Sequence, residues 1–245
     1  MKKIINNFKL DLSPNYSKRI KKVKYIIIHY TGMDNLLETI NLFKNPASKV
    51  SCHWLISRRG VLHKIVEEYN IAWHAGVSFW KYDTNLNDKS IGIELENKGH
   101  GNQYKPFSKS QLLTLEKLIF VLLKKYKLKY TNVLGHSDIA PDRKLDPGEL
   151  FNWEYFAKKK LVYWPSLGKY YNKDILLQLG MKNKEVTYIK GKLKKIGYYC
   201  TNNSSYDLIL KHTVEAFQRR FLPERVNGIV DSRVYQRILE VAKNA

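Results

Sequence analysis

The sequence predicts an α/β domain followed by a small bundle of three helices. Short β-branched or alternating runs, which are typical of strands, interleave with helical repeats of apolar residues up to about residue 165. From residue 183 onward, only helical repeats follow. We therefore predict two domains, residues 1–165 and 183–245, joined by a linker at residues 166–182. The chain has 245 residues, of which 44% are hydrophobic, enough for a packed core.

The first elements are a strand, a helix and a hairpin. Residues 23–30 form a short β-branched run that predicts a buried strand. Apolar residues recur at helical spacing over residues 36–43, and a proline soon follows. Residues 52–57 and 61–66 predict two strands, because the Arg-Arg-Gly segment between them is a hairpin signal.

Residues 90–96 predict a strand with two different faces. Apolar and other residues alternate strictly, so Ile91, Ile93 and Leu95 lie on one face. Gly92, Glu94 and Glu96 lie on the other.

The next segment is the clearest helix of the sequence. Ser108 and Gln111 have the spacing of a capping box, and apolar residues then recur at helical spacing to about Lys127. Residues 131–134 predict another short strand, which leads into a loop at residues 135–148 that is rich in proline, glycine and charge.

Three short helices are predicted in the C-terminal domain. The first covers residues 186–196 and ends at a glycine, and the second covers residues 208–221. Asn227 and Gly228 predict a turn, after which Asp231 caps the third helix.

The chain carries a large excess of positive charge. It has 43 Lys and Arg against 22 Asp and Glu, a formal net charge of +21, which attracts polyanions such as nucleic acid or the acidic polymers of a cell envelope. AT-rich coding is an equal explanation, because Lys, Asn, Ile and Tyr are all abundant. Residues 181–245 hold 13 basic and 6 acidic residues, so the charge does not form one basic tail.

Other features exclude some classes of protein. No apolar run is long enough for a transmembrane helix, and the N-terminus has a basic start without the apolar segment of a signal peptide. Cys52 and Cys200 fit no zinc-finger or redox motif. We expect two free thiols, with a single disulfide as the alternative.

Three distant residues suggest a metal site. His29 ends the first strand, and His136 and Asp146 lie ten residues apart on the 135–148 loop. Two histidines and a carboxylate can form the three-ligand zinc site of a hydrolase, with a fourth position left for water. Taken singly, each histidine is more often a hydrogen-bonded or surface residue, so spacing alone leaves both interpretations open.

Two further types of residue suit hydrolysis of an amide. The cation of Lys144, two positions before Asp146, could stabilise an oxyanion, or it could be one solvated lysine among many. A carboxylate on the polar face of the 90–96 strand could act as a general base, and on strand geometry Glu94 and Glu96 compete for that role. Asp138 and Asp142 are interpreted as turn-forming residues.

Five segments together resemble the type-2 N-acetylmuramoyl-L-alanine amidases. This family includes bacterial recycling and outer-membrane amidases, amidase-type phage lysozymes and peptidoglycan recognition proteins. The resemblance covers about residues 13–160, in order, and its most specific part is the segment from His136 to Asp146. The segments are Ile27-Ile-His-Tyr-Thr-Gly32, Val50-Ser-Cys-His-Trp-Leu-Ile56, Ala72-Trp-His-Ala-Gly76, Ser90-Ile-Gly-Ile-Glu-Leu-Glu-Asn97 and Gly135–Gly148.

The resemblance implies a mixed central sheet flanked by helices and one zinc ion on His29, His136 and Asp146. It implies Glu94, rather than Glu96, as catalytic base and Lys144 as the group that stabilises the tetrahedral intermediate. The reaction would cleave the amide between N-acetylmuramic acid and the L-Ala of the stem peptide, in peptidoglycan or in soluble muropeptides.

The resemblance also implies contacts to the substrate. Tyr30 follows the first metal ligand, and Lys49 stands where relatives place a basic residue toward the carboxylates of the stem peptide. Trp73 and His74 belong to the shared Trp-His-Ala-Gly segment and are expected in the wall of the groove, although core packing explains Trp73 equally well.

The C-terminal helices resemble the peptidoglycan-binding three-helix domain. The resemblance rests on Gly191–Tyr198, Val214–Phe221 and Asn227–Asp231. The sequence departs from that pattern at residues 201–207, which lack a Gly-rich turn, and at Val234, where a threonine is common. An anchoring domain beside an amidase is a coherent pair, because tethering raises the effective concentration of substrate.

Two other functions remain as alternatives. A catalytically silent peptidoglycan receptor is the first, but silent members lose a zinc ligand and all three are present here. Nucleic-acid binding is the second, yet no matching motif supports a specific nucleic-acid partner. A wall-binding domain favours a periplasmic or secreted location, whereas the lack of a visible signal peptide suits recycling in the cytoplasm.

Overall fold

The structure of the protein is a computed structural model that describes residues 8–101, 103–165 and 176–243. Its centre is a mixed sheet of six strands in the order β1-β5-β4-β9-β3-β10. The strands are β1 (Phe8–Leu10), β3 (Tyr25–Tyr30), β4 (Trp54–Ile56), β5 (Leu62–Lys64), β9 (Ser90–Leu95) and β10 (Val133–Gly135). The neighbours β4, β9, β3 and β10 are parallel, and β4 pairs with β5 as the antiparallel hairpin that the sequence predicts.

The remaining elements surround this sheet. The helices are α1 (Leu36–Lys44), α2 (Lys109–Tyr126), α3 (His136–Ile139), α4 (Trp153–Lys158), α5 (Lys184–Ile196), α6 (Leu208–Phe221) and α7 (Ser232–Lys243). Short strand pairs are β2 (Tyr16–Lys18) with β6 (Asn70–Ala72), β7 (Phe79–Trp80) with β8 (Asp83–Thr84), and β11 (Leu176–Leu177) with β12 (Val230–Asp231).

Local signals place most of these elements correctly. The capping box of Ser108 and Gln111 opens α2, and Asp231 accepts a hydrogen bond from the backbone N–H of Val234 at the start of α7. Helix α6 spans the predicted residues 208–221. The predicted strand at residues 131–134 is displaced, because residues 130–132 form a 3₁₀ turn and the strand begins at Val133.

Two predicted irregular segments contain regular structure. The 135–148 loop begins with the single turn of α3. Residues 166–175 of the predicted linker lie outside the described residues, but Leu176 and Leu177 pair with Val230 and Asp231 as a β-ladder. At these two residues, the predicted linker therefore makes contact with the C-terminal unit.

The two faces of β3 are covered by different parts of the chain. Ile26 and Ile28 pack with Ile91, Ile93 and the apolar side of α2, as the strict alternation of residues 90–96 predicts. Tyr25 and Ile27 instead share a cluster with Phe217 and other buried residues of the C-terminal helices. The helical unit thus packs on the sheet as a further layer, where the sequence suggests only an appended module.

A buried lysine binds the turn at residues 201–207, which lacks the glycines expected of a peptidoglycan-binding domain. The Lys190 side chain is almost fully enclosed, and its ammonium group donates to Thr201 Oγ1 at 2.7 Å and to Asn203 Oδ1 at 2.8 Å. It also pairs with Asp207 Oδ2 at 3.0 Å. The ammonium group therefore binds several residues of this turn, which explains how the turn forms without a run of glycines.

Two further expectations can be compared with the fold. Cys52 and Cys200 are both buried free thiols, as preferred from their spacing. Within the described ranges, none of the helices combines the length and the apolar character that crossing a bilayer requires.

Candidate metal centre and active-site cleft

Parallel strands bring the predicted site residues to one edge of the sheet. His29 on β3 is directly opposite Glu94 on β9 in the strand register. Gly135 ends β10 opposite Ile28, so His136 follows immediately beside His29. The carboxyl ends of parallel strands are the common position of sites in α/β folds.

His29, His136 and Asp146 converge on one point. The Nδ1 atoms of the two histidines lie 2.9 Å apart, and each lies 3.0 Å from Oδ2 of Asp146. All three side chains are buried. They form the one group of possible metal ligands with this geometry among the described residues.

The hydrogen bonds around this cluster leave its facing atoms as acceptors, which can hold a cation. His136 donates from Nε2 to the carbonyl oxygen of Ala75 at 3.2 Å, which leaves its Nδ1 as an acceptor in the neutral ring. That acceptor faces the Asp146 carboxylate, which is an acceptor as well. Two acceptors at hydrogen-bond distance repel each other unless a positive charge lies between them, so the donor set fits a metal ion.

Electrostatics favour the ligand forms of these side chains. Burial, followed by the charge of His136, lowers the pKa of His29 to about 4, so the ring is neutral near pH 7. Burial alone would raise the pKa of Asp146, but the two histidines outweigh it and hold that pKa below its usual range. Imidazole nitrogens and carboxylate oxygens are ligands that zinc commonly takes.

His74 has a role that the sequence does not indicate. It lines the cleft, as expected of a wall residue, but its Nδ1 also lies 3.0 Å from Nε2 of His29. Its Nε2 lies 3.1 Å from Oγ of Ser90. A histidine ligand is commonly oriented by a hydrogen bond to its second ring nitrogen, and His74 makes that contact.

Gly92 provides the space for His74. A Cβ atom at residue 92 would overlap the His74 ring. Glycine in the middle of a strand often marks a close approach of another group, and this was the available sequence signal for the position of His74.

The two competing carboxylates occupy different environments. Glu94 lines the cleft, and its Oε2 is buried without a hydrogen-bond partner in the described structure. Burial, and then the charge of Asp146, raises the pKa of Glu94 well above its usual value, while Lys144 opposes that rise. Glu96 instead accepts a hydrogen bond from the backbone N–H of Arg58 at 2.6 Å, outside the cleft.

The cleft has a volume of about 450 Å³ and gathers most of the predicted site residues. Tyr30, Trp73 and Lys144 line it together with the metal cluster. Lys49 does not; it is an exposed residue with a positive φ of 52°, next to the lining residue Val50. Its expected interaction with the carboxylates of the stem peptide stays a prediction.

A polar network at the rim of the cleft was missed. The Tyr30 hydroxyl lies 2.9 Å from Nδ1 of His100, and Nε2 of His100 lies 2.9 Å from a carboxylate oxygen of Glu149. Because Glu149 fixes the proton on Nε2, Nδ1 accepts from the Tyr30 hydroxyl. The Tyr30 hydroxyl also accepts from the backbone N–H of His100 at 3.4 Å, which leaves one lone pair for a donor in the cleft.

Asp138 is more than a turn-forming residue. It does accept from the backbone N–H of Gly135 at 2.8 Å, as a residue in a turn would. However, its side chain is only 1% exposed, and it binds Arg220 and Tyr198 of the C-terminal unit. Asp142, in contrast, is exposed.

Comparison with protein families gives a direct match for the sheet domain. A family model described as N-acetylmuramoyl-L-alanine amidase matches residues 19–149, which is more than half of the chain. The chain belongs to this amidase family. A second model, of a peptidoglycan-binding domain, matches residues 182–238.

Curated relatives of this amidase family cover the same part. Over 172 residues the chain is 36% identical to the N-acetylmuramoyl-L-alanine amidase AmiD of Escherichia coli, an alignment that covers 64% of this chain and 60% of AmiD. It is 42% identical over 109 residues to the 1,6-anhydro-N-acetylmuramyl-L-alanine amidase AmpD of Haemophilus influenzae, covering 44% of this chain and 57% of AmpD. The chain thus spans about 60% of the length of these relatives.

Two solved structures match this chain over most of its length. The complex of E. coli AmiD with the substrate anhydro-N-acetylmuramic acid-L-Ala-D-gamma-Glu-L-Lys superposes with a TM-score of 0.79 at 29% identity. It covers 91% of this chain and 90% of that one. AmpDh3 from Pseudomonas aeruginosa gives a TM-score of 0.74 at 25% identity, covering 91% and 92%. The predicted amidase fold with its helical C-terminal unit is confirmed.

Proposed function

We propose that this protein is a zinc amidase that hydrolyses the amide between N-acetylmuramic acid and the L-Ala of the stem peptide. The observation that carries the proposal is the convergence of His29, His136 and Asp146 beside Glu94 in one cleft. Membership of the amidase family and the resemblance to AmiD in complex with its anhydromuropeptide support the substrate class.

The metal and the chain would divide the chemistry between them. Zinc bound by His29, His136 and Asp146 would lower the pKa of water and polarise the scissile carbonyl. Oε2 of Glu94 is buried without another partner among the described residues, so this carboxylate is available to accept a proton from the attacking water. Its raised pKa suits a residue that takes up and releases a proton near neutral pH.

Lys144 supplies positive charge close to the proposed metal site. It lines the same cleft, and its charge acts on both Glu94 and His29. A fixed cation near the carbonyl oxygen stabilises the negative charge that develops when an amide is attacked.

Substrate contacts follow from the walls of the cleft. Trp73 presents a half-buried indole whose Nε1 donates to Ser17 Oγ at 3.0 Å, so the ring is held in place as a flat wall. Tyr30 accepts a hydrogen bond from an amide N–H of the stem peptide. Lys49, outside the cleft, acts on carboxylates of the stem peptide only at longer range.

The test compares two substrates in parallel. Zinc-loaded protein is incubated with purified sacculi and with soluble anhydro-muropeptides, and the released species are identified by mass spectrometry. We expect free stem peptide with an N-terminal L-Ala from at least one substrate. Retention of both substrates without release would contradict the amidase and support a silent receptor. Release from sacculi would favour a role in the cell envelope, and release only from muropeptides would favour recycling.

The matched control is Glu94→Gln. The amide keeps the size of the side chain and removes its ability to take up a proton. We expect zinc near one ion per chain and no detectable release. Loss of zinc from this variant would instead make Glu94 a ligand or a structural residue.

A further inference from the structure

The carboxylate of Asp138 joins the metal-ligand segment to the C-terminal helices. Its Oδ2 accepts from Nη1 of Arg220 at 2.6 Å, and its Oδ1 accepts from the Tyr198 hydroxyl at 2.5 Å. Asp138, Arg220 and Tyr198 are all almost completely buried. Both donors belong to the helical unit, whereas the acceptor lies two residues after the metal ligand His136.

Arg220 makes a second contact with the same segment. Its Nη2 donates to the carbonyl oxygen of Val133 at 3.1 Å, and its guanidinium group lies 4.2 Å from the centre of the Trp153 ring. One side chain therefore holds both the beginning of β10 and the turn of α3. The end of β10 and the beginning of α3 are the backbone that carries His136.

The held segment contacts both loop ligands of the proposed metal site. His136 lies between Gly135 and Ser137, and the backbone N–H of Ser137 donates to the carbonyl oxygen of Asp146 at 2.8 Å. A shift of α3 would therefore move His136 and Asp146 relative to His29, which is fixed on a different strand. Metal sites tolerate only small departures of their ligands from the required geometry.

Stability alone does not account for this arrangement. A buried ion pair costs desolvation that its attraction often fails to recover, so packed apolar side chains would stabilise the contact between the units at least as well. A charged arginine with fixed donor directions does, however, define the orientation of the carboxylate that it binds.

We propose that Arg220 and Tyr198 are positioning residues, which hold the ligand segment of the metal site through Asp138. This inference rests on the proposed zinc amidase function. The C-terminal unit then has a second role besides attachment to the wall, because part of the geometry of the site depends on it.

The decisive experiment compares two tyrosines of the same unit. Tyr198→Phe removes the hydroxyl that binds Asp138 and leaves the ring packed against Trp80. Tyr206→Phe is the matched control, since Tyr206 is equally buried but its hydroxyl donates to the carbonyl oxygen of Gly228 within the C-terminal unit. Zinc affinity is measured by competition with a chelator, and kcat and KM are measured on the substrate that the wild type cleaves.

We expect Tyr198→Phe to weaken zinc binding by about 10-fold, the lower end of the effect of groups that orient metal ligands. It should lower kcat at saturating zinc with little change of KM, whereas Tyr206→Phe should change neither quantity. Equal zinc affinities and equal kcat values in the two variants would overturn the proposal. So would an increase of KM alone, which would indicate a role in binding the wall.

Arg220 provides a second comparison. Arg220→Met should weaken zinc binding more than Tyr198→Phe, and Arg220→Lys, which keeps a cation near Asp138, should recover part of the loss. If Arg220→Met does not fold, the positioning role is still tested by Arg220→Lys and by the comparison of Tyr198→Phe with Tyr206→Phe. A wild type that binds zinc without turnover would refute the amidase function, while the zinc affinities would continue to test the positioning role. A wild type that binds no zinc would refute both.

Discussion

Two buried polar clusters of this molecule differ in where their positive charge comes from. Around Lys190, the oxygens of Thr201, Asn203 and Asp207 surround an ammonium group that the chain itself supplies. Around His29, His136 and Asp146, the acceptor atoms face one another, and no described side chain places a cation between them.

This difference separates a closed structural cluster from a binding site. A buried charge that is fully paired and hydrogen-bonded holds its surroundings in one conformation, and its partners have no capacity left for a ligand. Acceptors that converge without a donor remain costly until a cation arrives. The comparison predicts that changes at the Lys190 cluster affect folding, and that changes at the histidine cluster affect metal binding.

The largest effect is expected from Asp146→Ala. It removes the charged ligand, so zinc content should fall close to zero and turnover should fall by more than the ~10²–10³-fold that loss of a single electrostatic donor costs. At a zinc concentration of 1,000 times Kd, binding should add about 4 kcal/mol to the free energy of unfolding of the wild type and so raise its Tm. The Tm of the variant should not change. Calorimetry with and without a chelator checks both expectations. A variant that zinc still stabilises would place the ion elsewhere.

Lys190→Met should act on folding instead. Because the acceptors around Lys190 would lose their shared donor while the partly exposed Asp207 keeps its other hydrogen bonds, the free energy of unfolding should fall by about 1–3 kcal/mol. Lys195→Met, on the exposed side of the same helix, should change it by less than about 0.5 kcal/mol. Urea unfolding measures both, and zinc bound per folded chain should be the same in both variants. Similar unfolding curves for Lys190→Met and Lys195→Met would contradict the structural role of the Lys190 cluster.

His74→Phe tests the group behind the metal ligand. The ring volume over Gly92 is preserved, but His29 loses the partner of its Nε2, so zinc affinity should weaken by about 10–100-fold. His63→Phe is the control, because His63 is also buried and bonded, to Asp11, on another part of the sheet. Chelator competition should find the control unchanged. Equal losses of zinc affinity in both variants would mean that His74 affects zinc binding only through the stability of the fold.

The smallest effect is expected from Thr201→Val. Loss of one acceptor of the Lys190 ammonium should cost about 0.5–1.5 kcal/mol of unfolding free energy. In the Lys190→Met background the same change should cost less, since the interaction is already gone. A double-mutant cycle in urea measures the difference, and strict additivity would show that Thr201 does not contribute through Lys190.

Features that depend on neighbouring residues were predictable from the sequence. The capping box of Ser108 and Gln111 and the cap at Asp231 act within three residues, so the residue types alone place the helix starts. The alternation of residues 90–96 likewise predicted the face that bears Glu94. The convergence of His29 with His136 and Asp146 could be proposed because strand ends of a parallel sheet meet at one edge.

Features that depend on distant partners were not predictable. Asp138 was interpreted as a turn residue because its partner Arg220 lies 82 positions away, and nothing in either residue type indicates burial. Lys190 stands among several lysines of an amphipathic helix, and only the folded turn shows that it is enclosed. Lys49 has a positive φ and does not line the cleft, and its residue type indicates neither feature.

Gly92 couples two properties that are usually adjusted separately. The middle of a parallel strand favours β-branched residues, so replacing this glycine with valine would normally strengthen the sheet. Here the added carbon would displace the ring of His74, and through it His29. At this one residue, a gain in strand stability would come with a loss of metal affinity, so a residue that strands disfavour is the one that the site requires.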